Sequence, residues 1–335
     1  MADSNGLRIL ITGANGFLGQ LLVKRLLGLA SLRGQAIGTL RLLDMNLDSF
    51  TPQPRLRLHP GSVTDTALMR RVLADGIDLV FHLVSIPGGA AERQYELGYE
   101  VNLAASLELL QQLRNKACPP VLVFASSVAV YGGDLPARLD ESAAPAPQLS
   151  YGAHKRMVEI ALGDLARRGE VDGRALRLPG IVARPGDGQG LRSAFMSELM
   201  RHVAAGQAYQ CPVSPQATAW WMSARCCVDN LLRAAELPLA VDAPRVWQLP
   251  VLHLSIAQVM EALAERFGDA CRALVSYHPD PQLEAQFGRQ PPLKTPQARA
   301  LGLRHDGSAA ALVRNALDLA PATRRIAQGN PCHEA

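Results

Sequence analysis

The segment Ile9-Leu10-Ile11-Thr12-Gly13-Ala14-Asn15-Gly16-Phe17-Leu18-Gly19 constrains this chain more than any other stretch. An apolar run of strand length ends at Thr12, a glycine-rich turn follows, and an amphipathic segment from Gln20 to Ala30 begins directly after it. A strand that turns on glycine into a helix is the opening unit of a parallel α/β sheet. Each glycine has a physical task. Gly13 permits the tight turn, Gly16 lets an anionic group approach the backbone, and Gly19 lets the helix pack close to the strand. The free N–H groups at the helix start then favour a phosphate. The spacing Gly13-x-x-Gly16-x-x-Gly19 is one residue longer in its first interval than the G-x-G-x-x-G dinucleotide turn.

The residues downstream agree with that turn. Ala36 to Leu43 reads as a second strand ending in Asp44. An acidic residue about 20 positions past such glycines meets an adenosine ribose. Asp44 accepts hydrogen bonds from ribose hydroxyls and repels a 2′-phosphate, which points to NAD rather than NADP. Further strands are expected at Arg55–His59, Asp78–Val84, Val121–Phe124 and Gly173–Leu178. Between them lie helices capped by Thr64 or Asp65, spanning Ala91 to Lys116, and running from Tyr151 to Arg168 behind a Ser150 cap. The alternation predicts an α/β fold with a Rossmann-type doubly wound parallel sheet. Asp134–Gln148 reads as a surface loop, and Pro179–Gly190 as a turn-rich loop. Beyond it helices near Ser193–Ala205, Cys226–Glu236 and Ser255–Phe267 mix with short strands near Ala217–Met222 and Arg245–Leu249. The expected division is a dinucleotide domain over 1–178 and a smaller mixed substrate lobe over 179–335, some of whose elements return to the first domain. A ligand cleft belongs at the C-terminal ends of the strands.

Composition narrows the class. The 335 residues, 48% hydrophobic and 19% charged, suit a globular enzyme with a sizeable core. The net charge of +4 is scattered and mostly arginine, with lysine only at 24, 116, 155 and 294. No basic tract interleaved with aromatics suggests a nucleic-acid partner, and no apolar run reaches the ~18 residues of a membrane span. Met1 to Arg8 leads straight into the first strand, leaving no room for a signal peptide. The cysteines form no C-x-x-C pair and have no clustered histidine beside them, so reduced thiols in a cytoplasmic protein are expected, with no metal.

The chemistry concentrates at Tyr151-Gly152-Ala153-His154-Lys155. Tyr and Lys at i and i+4 share a helix face. A free phenol titrates near pH 10; a neighbouring ammonium or an oxidised nicotinamide lowers that value and makes the phenolate a base. Ser127 closes a preceding strand, so its hydroxyl can hold the oxygen that exchanges the proton. His82, inside an apolar strand, reads as a buried hydrogen-bonded histidine rather than a catalyst.

With these residues in place the chain resembles the extended short-chain dehydrogenases/reductases, the NAD-dependent epimerase/dehydratase family. The resemblance rests on the glycine turn, Phe81-His82-Leu83-Val84-Ser85, Val101-Asn102, Ser126-Ser127-Val128-Ala129-Val130-Tyr131-Gly132 and Tyr151-x-x-x-Lys155. It implies catalysis by Ser127, Tyr151 and Lys155, with Tyr151 the acid/base and Lys155 also gripping the nicotinamide ribose. It implies an NAD site formed by Gly13, Asn15, Gly16, Phe17, Leu18, Gly19, Asp44, Leu83, Val84, Asn102, Pro179, Ile181 and Val182. Ser62, which stands where the family often has an Asp against the adenine, and Val63 complete the expected cofactor site. The resemblance further implies a homodimer in which the helices at Ala91–Lys116 and Tyr151–Arg168 pair across a two-fold axis.

Leu97-Gly98-Tyr99-x-x-Asn102, the run Arg168 to Pro179, Trp221-Met222-Ser223 and Asn230 to Pro238 resemble one subgroup of that family, which oxidises the C2 hydroxyl of a four-carbon sugar acid with NAD. For such a substrate the binding residues expected are Ser85, Ser127, Tyr151, Arg184, Trp221 and Arg225, with Arg225 the choice for the carboxylate. Two other readings compete: a nucleotide-sugar epimerase or dehydratase that regenerates its NAD each cycle, and a non-catalytic NAD-binding regulator.

Overall fold

The computed structural model describes residues 6–114, 118–186 and 192–318. Lys116, the end of the expected loop at Gly190, and Cys332 lie outside the described residues. Among the described residues seven parallel strands form the main sheet: β1 (Leu7–Thr12), β2 (Gln35–Asp44), β3 (Leu56–Pro60), β4 (Leu79–His82), β5 (Val121–Ser127), β6 (Asp172–Leu178) and, from much later in the chain, a strand at Val246–Gln248. The order across the sheet is β3-β2-β1-β4-β5-β6 and then Val246–Gln248. Strand order reverses between β1 and β4, and a crevice opens there at the C-terminal strand ends. A two-residue strand, Ser31–Leu32, adds antiparallel to the start of β2.

Alternating side chains explain why the sheet is covered twice. Ile9, Ile11, Leu79, Phe81, Val121 and Val123 face one core, which is closed by α1 (Phe17–Leu27). Leu10, Val80, Leu122 and Phe124 face the opposite core, closed by α2 (Thr66–Leu73), α3 (Ala105–Leu113) and α4 (Ser150–Arg167). Strands buried on both faces need apolar residues at nearly every position, and these strands have them.

Several boundaries differ from expectation for local reasons. The segment expected as one helix from Ala91 is divided into Gly88–Arg93, Tyr95–Gly98, a π-helical turn at Tyr99–Ala104 and α3. Asp65 caps α2 by accepting from Leu68 N at 2.9 Å. Ser150 is not the cap of α4; Leu149 holds that position without a side-chain bond. Within the expected 134–148 loop, Leu139–Asp140 pairs in parallel with Leu293–Lys294.

After Pro179 the chain leaves the main sheet. Strand β7 (Gly180–Val182) pairs in parallel with β8 (Thr218–Ser223), which pairs antiparallel with Leu252–Ser255. Helices α5 (Phe195–Ala204), Ile256–Phe267 and Ala309–Leu317 enclose a separate core around this small sheet. Helix α6 (Ala224–Glu236), capped by Ser223 on Cys226 N, packs beside α1 on the main sheet, so the chain crosses back between the two cores. No helix among the described residues is long and apolar enough to cross a membrane.

Candidate active site

The glycine turn has the geometry its sequence implies. Gly13 has φ +71°, and a Cβ there would stand 2.7 Å from Val84 N. A Cβ on Gly19 would stand 2.1 Å from Gly13 O, so the helix reaches the turn only without a side chain. Gly16 occupies the N-cap of α1, with no side chain capping the first turn. The N–H groups there are open to an anion. Asp44 lies beside them at the end of β2, its Oδ2 accepting from Asn15 N at 2.9 Å and its Oδ1 from Met45 N at 2.8 Å. Each oxygen keeps a lone pair for a ribose hydroxyl. This cradle fits a dinucleotide.

A cavity of about 710 Å³ opens over the turn and runs toward the small sheet. Gly13, Asn15, Gly16, Phe17, Leu18, Gly19, Asp44, Leu83, Val84, Ser85, Ser127, Tyr151, Pro179, Ile181, Val182 and Arg184 all line it. Other expected residues lie elsewhere; Asn102 and Lys155 are buried behind the wall and do not line the cavity. Ser62 and Val63 are not on its wall; Ser62 bonds Thr64, and Val63 is buried in the α2 core. Arg225 is exposed on the first turn of α6, away from the cavity, which removes it as the carboxylate partner. Trp221 faces the C-terminal core and donates its indole N–H to Leu254 O at 3.0 Å. Strand alternation brings Trp220 to the cavity in its place.

Tyr151, Ser85, Ser127 and Arg184 converge on the cavity wall. Burial raises the Tyr151 phenol above its ordinary value of 10.0, while the Ser85 and Ser127 hydroxyls and the Arg184 guanidinium pull it back down. The expected lowering by an adjacent ammonium is therefore not the balance found in the protein alone. Lys155 is fully buried, and burial pushes its own pKa down to about 7 against the pull of Glu159. Its Nζ donates to Ala125 O at 2.8 Å and stands 4.6 Å from the Phe124 ring centroid and 5.6 Å from that of Tyr151. Arg184 stacks its guanidinium 5.2 Å from the Phe17 ring centroid, which holds it between the glycine turn and Tyr151.

Two buried networks support this wall from behind. Asn102 sits in the π-helical turn, its side chain accepting from Ile86 N at 2.7 Å and donating to Ile86 O at 3.0 Å. It thereby fixes the loop that carries Ser85. Ser106 donates to Asn102 O, so it accepts from His82 Nε2–H, and Thr12 donates to His82 Nδ1. Both ring nitrogens are satisfied, and burial pushes the His82 pKa down to about 3. His82 is thus the buried, neutral histidine its setting implied. The second network escaped the sequence reading. Glu159 accepts two bonds from Arg177, at 2.9 and 2.8 Å, and one from Ser126 at 2.6 Å. Arg177 also donates to the Tyr131 hydroxyl at 2.9 Å. The available signals were Glu159 four residues beyond Lys155 on the same helix face, and the two arginines, Arg174 and Arg177, inside the otherwise apolar strand β6.

Comparison with known proteins agrees with this geometry. Residues 9–249 match the model of the NAD dependent epimerase/dehydratase family. The chain is 38% identical over 314 residues to a D-erythronate dehydrogenase from Cupriavidus necator, covering 92% of this chain and 97% of that protein. It is 32% identical over 306 residues to a D-erythronate dehydrogenase from Haemophilus influenzae, covering 90% and 96%. Its fold is similar to the crystal structure of a nucleoside-diphosphate-sugar epimerase from Agrobacterium tumefaciens, with a TM-score of 0.84, 29% identity and 92% coverage of each chain. These relationships mark an oxidoreductase acting on a CH–OH group. The chain belongs to the NAD dependent epimerase/dehydratase family.

Proposed function

We propose that this enzyme oxidises the C2 hydroxyl of a short sugar acid resembling D-erythronate to the 2-oxo acid, with NAD as hydride acceptor. The observation that carries the proposal is the meeting of the glycine turn, the Tyr151–Ser85–Ser127 hydroxyls and the Arg184 guanidinium on one cavity. When bound, NAD supplies the hydride acceptor and a positive charge beside the phenol. The N-terminus of α1 would hold the pyrophosphate and Asp44 the adenosine ribose, and Leu83, Val84, Pro179, Ile181 and Val182 would wall the nicotinamide end. Asp44 disfavours a 2′-phosphate, so NAD is preferred to NADP.

Ser127 and Ser85 hold the C2 oxygen of the substrate. Tyr151 is the group placed to take the proton of that hydroxyl. The phenol needs its raised pKa brought down before it can act as a base at neutral pH, and Arg184 together with the cofactor's positive charge has the required sign. Lys155, buried behind the cavity wall against Ala125 and Phe124, would be the ammonium available to a nicotinamide ribose. Arg184 has the fork that suits a carboxylate, and its position next to Tyr151 matches a carboxylate attached to C2. The names of the two D-erythronate dehydrogenase relatives support the substrate class. A nucleotide-sugar epimerase is the competing reading, favoured by the likeness to the Agrobacterium tumefaciens structure. Replacement Arg184→Leu is expected to raise KM for sugar acids at least tenfold more than KM for a neutral alcohol of similar size. Equal effects on both would remove Arg184 from carboxylate binding.

A further inference from the structure

The far wall of the cavity comes from the C-terminal part of the chain, and one residue there is held unusually firmly. Gln290 donates its backbone N–H to Thr218 O at 3.1 Å and accepts at its carbonyl from Thr218 Oγ1 at 2.9 Å and from His253 Nε2 at 2.7 Å. Its side-chain oxygen accepts from Trp220 N at 2.6 Å. A backbone N–H is only a donor, so the atom facing it must be Oε1, and Nε2 occupies the other branch of the amide. Gln290 is half-buried on the cavity wall, and its Nε2 hydrogens find no acceptor among the described residues. Gln286 repeats the arrangement nearby: its Oε1 accepts from Arg192 Nη1 at 2.6 Å, which turns its amide nitrogen the other way as well. Gln290 therefore presents an oriented donor at this end of the cavity, with the amide of the exposed Gln286 nearby.

We propose that Gln290 is a specificity-determining residue that donates through Nε2 to a hydroxyl oxygen on the tail of the substrate, beyond C2. The assignment rests on the sugar-acid reading above and deepens it by naming the residue that recognises the hydroxyls beyond C2. A simple 2-hydroxy acid places a methyl group against this amide and leaves its hydrogens unbonded. A site built to hydrogen-bond a hydroxyl rejects an analogue lacking it far more strongly than an apolar pocket rejects a missing methylene. The donor is oriented before substrate arrives, so little ordering opposes its bond.

The test compares D-erythronate with 2-hydroxybutanoate, which has the same carbon chain without the two distal hydroxyls, in the wild type and in Gln290→Met. The expected wild-type kcat/KM favours D-erythronate by at least about tenfold, a factor of the size one hydrogen bond supplies. Gln290→Met is expected to lose most of that preference through KM for D-erythronate, with 2-hydroxybutanoate changed by less than about threefold. Equal losses on both substrates, or an unchanged preference, would overturn the assignment. Gln290→Glu keeps an oxygen for Trp220 N–H while removing the donor. It is expected to fold and also to lose the preference, and a preference equal to the wild type's in that variant overturns the proposal. A wild type inactive on both acids would instead overturn the sugar-acid reading itself.

Discussion

Tyr151 and Lys155 share one helix face, yet different neighbours set their protonation. Arg184 acts on the phenol from the facing lobe, whereas Lys155 answers to its own burial, to Glu159, and to the Ala125 carbonyl. His82 stays neutral, held down by burial and by the Lys155 charge. The consequence is a pH-dependent stability. Folded Lys155 loses its proton near pH 7, but in the unfolded chain its value is about 10.5. Between those values the unfolded chain binds more protons, so this group's contribution to stability rises with pH across that window. Below pH 7 the folded cofactor-free protein must bury an ammonium. Lys155→Met is thus expected to raise Tm relative to wild type most at pH 6, with the advantage shrinking by pH 9. A Tm difference independent of pH between 6 and 9 would contradict the buried-ammonium account. At this scale the sequence carried much of the chemistry, because Tyr151, Lys155 and the glycines act through short spacings. It could not rank Arg184 over Arg225, since neither spacing nor periodicity records which lobe a side chain faces.

At the scale of elements, β5, β6 and α4 are tied together by the Glu159–Arg177 pair. Both side chains are buried. Removing one member of such a pair strands the other charge and costs about 3–5 kcal/mol. Glu159→Gln is therefore expected to lower unfolding free energy by an amount in that range in urea denaturation. The double replacement Glu159→Leu with Arg177→Met recovers most of it, because neither charge is then left alone. A loss below about 1 kcal/mol for the single variant would place the pair among weak, screened contacts. The strands were legible because burial on both faces demands continuous apolar runs, as in Val121–Phe124. The break before α3 was not: the π-helical turn at Tyr99–Ala104 keeps helical spacing roughly intact and differs only in one extra residue per turn.

At the scale of the whole molecule, the helical segment 95–104 and α4 leave an exposed apolar face. Tyr95, Tyr99, Met157 and Ile160 are 53%, 45%, 42% and 57% exposed. Exposed apolar side chains gathered on packed helices suit a partner surface, and a two-fold pairing of like with like closes it. We expect a homodimer through this face. Sedimentation at micromolar concentration should give twice the 36.0 kDa chain mass, and Ile160→Glu should shift it to monomer. A wild type sedimenting only as monomer would contradict this. The cavity shows where sequence reading stops. Its dinucleotide half comes from motifs contiguous in the chain, whereas Arg192, Trp220, Gln286 and Gln290 reach the far wall only through the pairing of β7 and β8 and the docking of the 286–290 segment on β8.

The central claim, net oxidation of a sugar acid by Tyr151-assisted hydride transfer, is tested most directly by steady-state NADH release. A panel of short aldonic acids with NAD is set against UDP-sugars under the same conditions. The account predicts NADH accumulation with a D-erythronate-like acid, a fall of about 10²–10⁴ in that rate for Tyr151→Phe, and no turnover of UDP-sugars. Conversion of a UDP-sugar without net NADH, or a Tyr151→Phe enzyme with near-normal turnover, would contradict it.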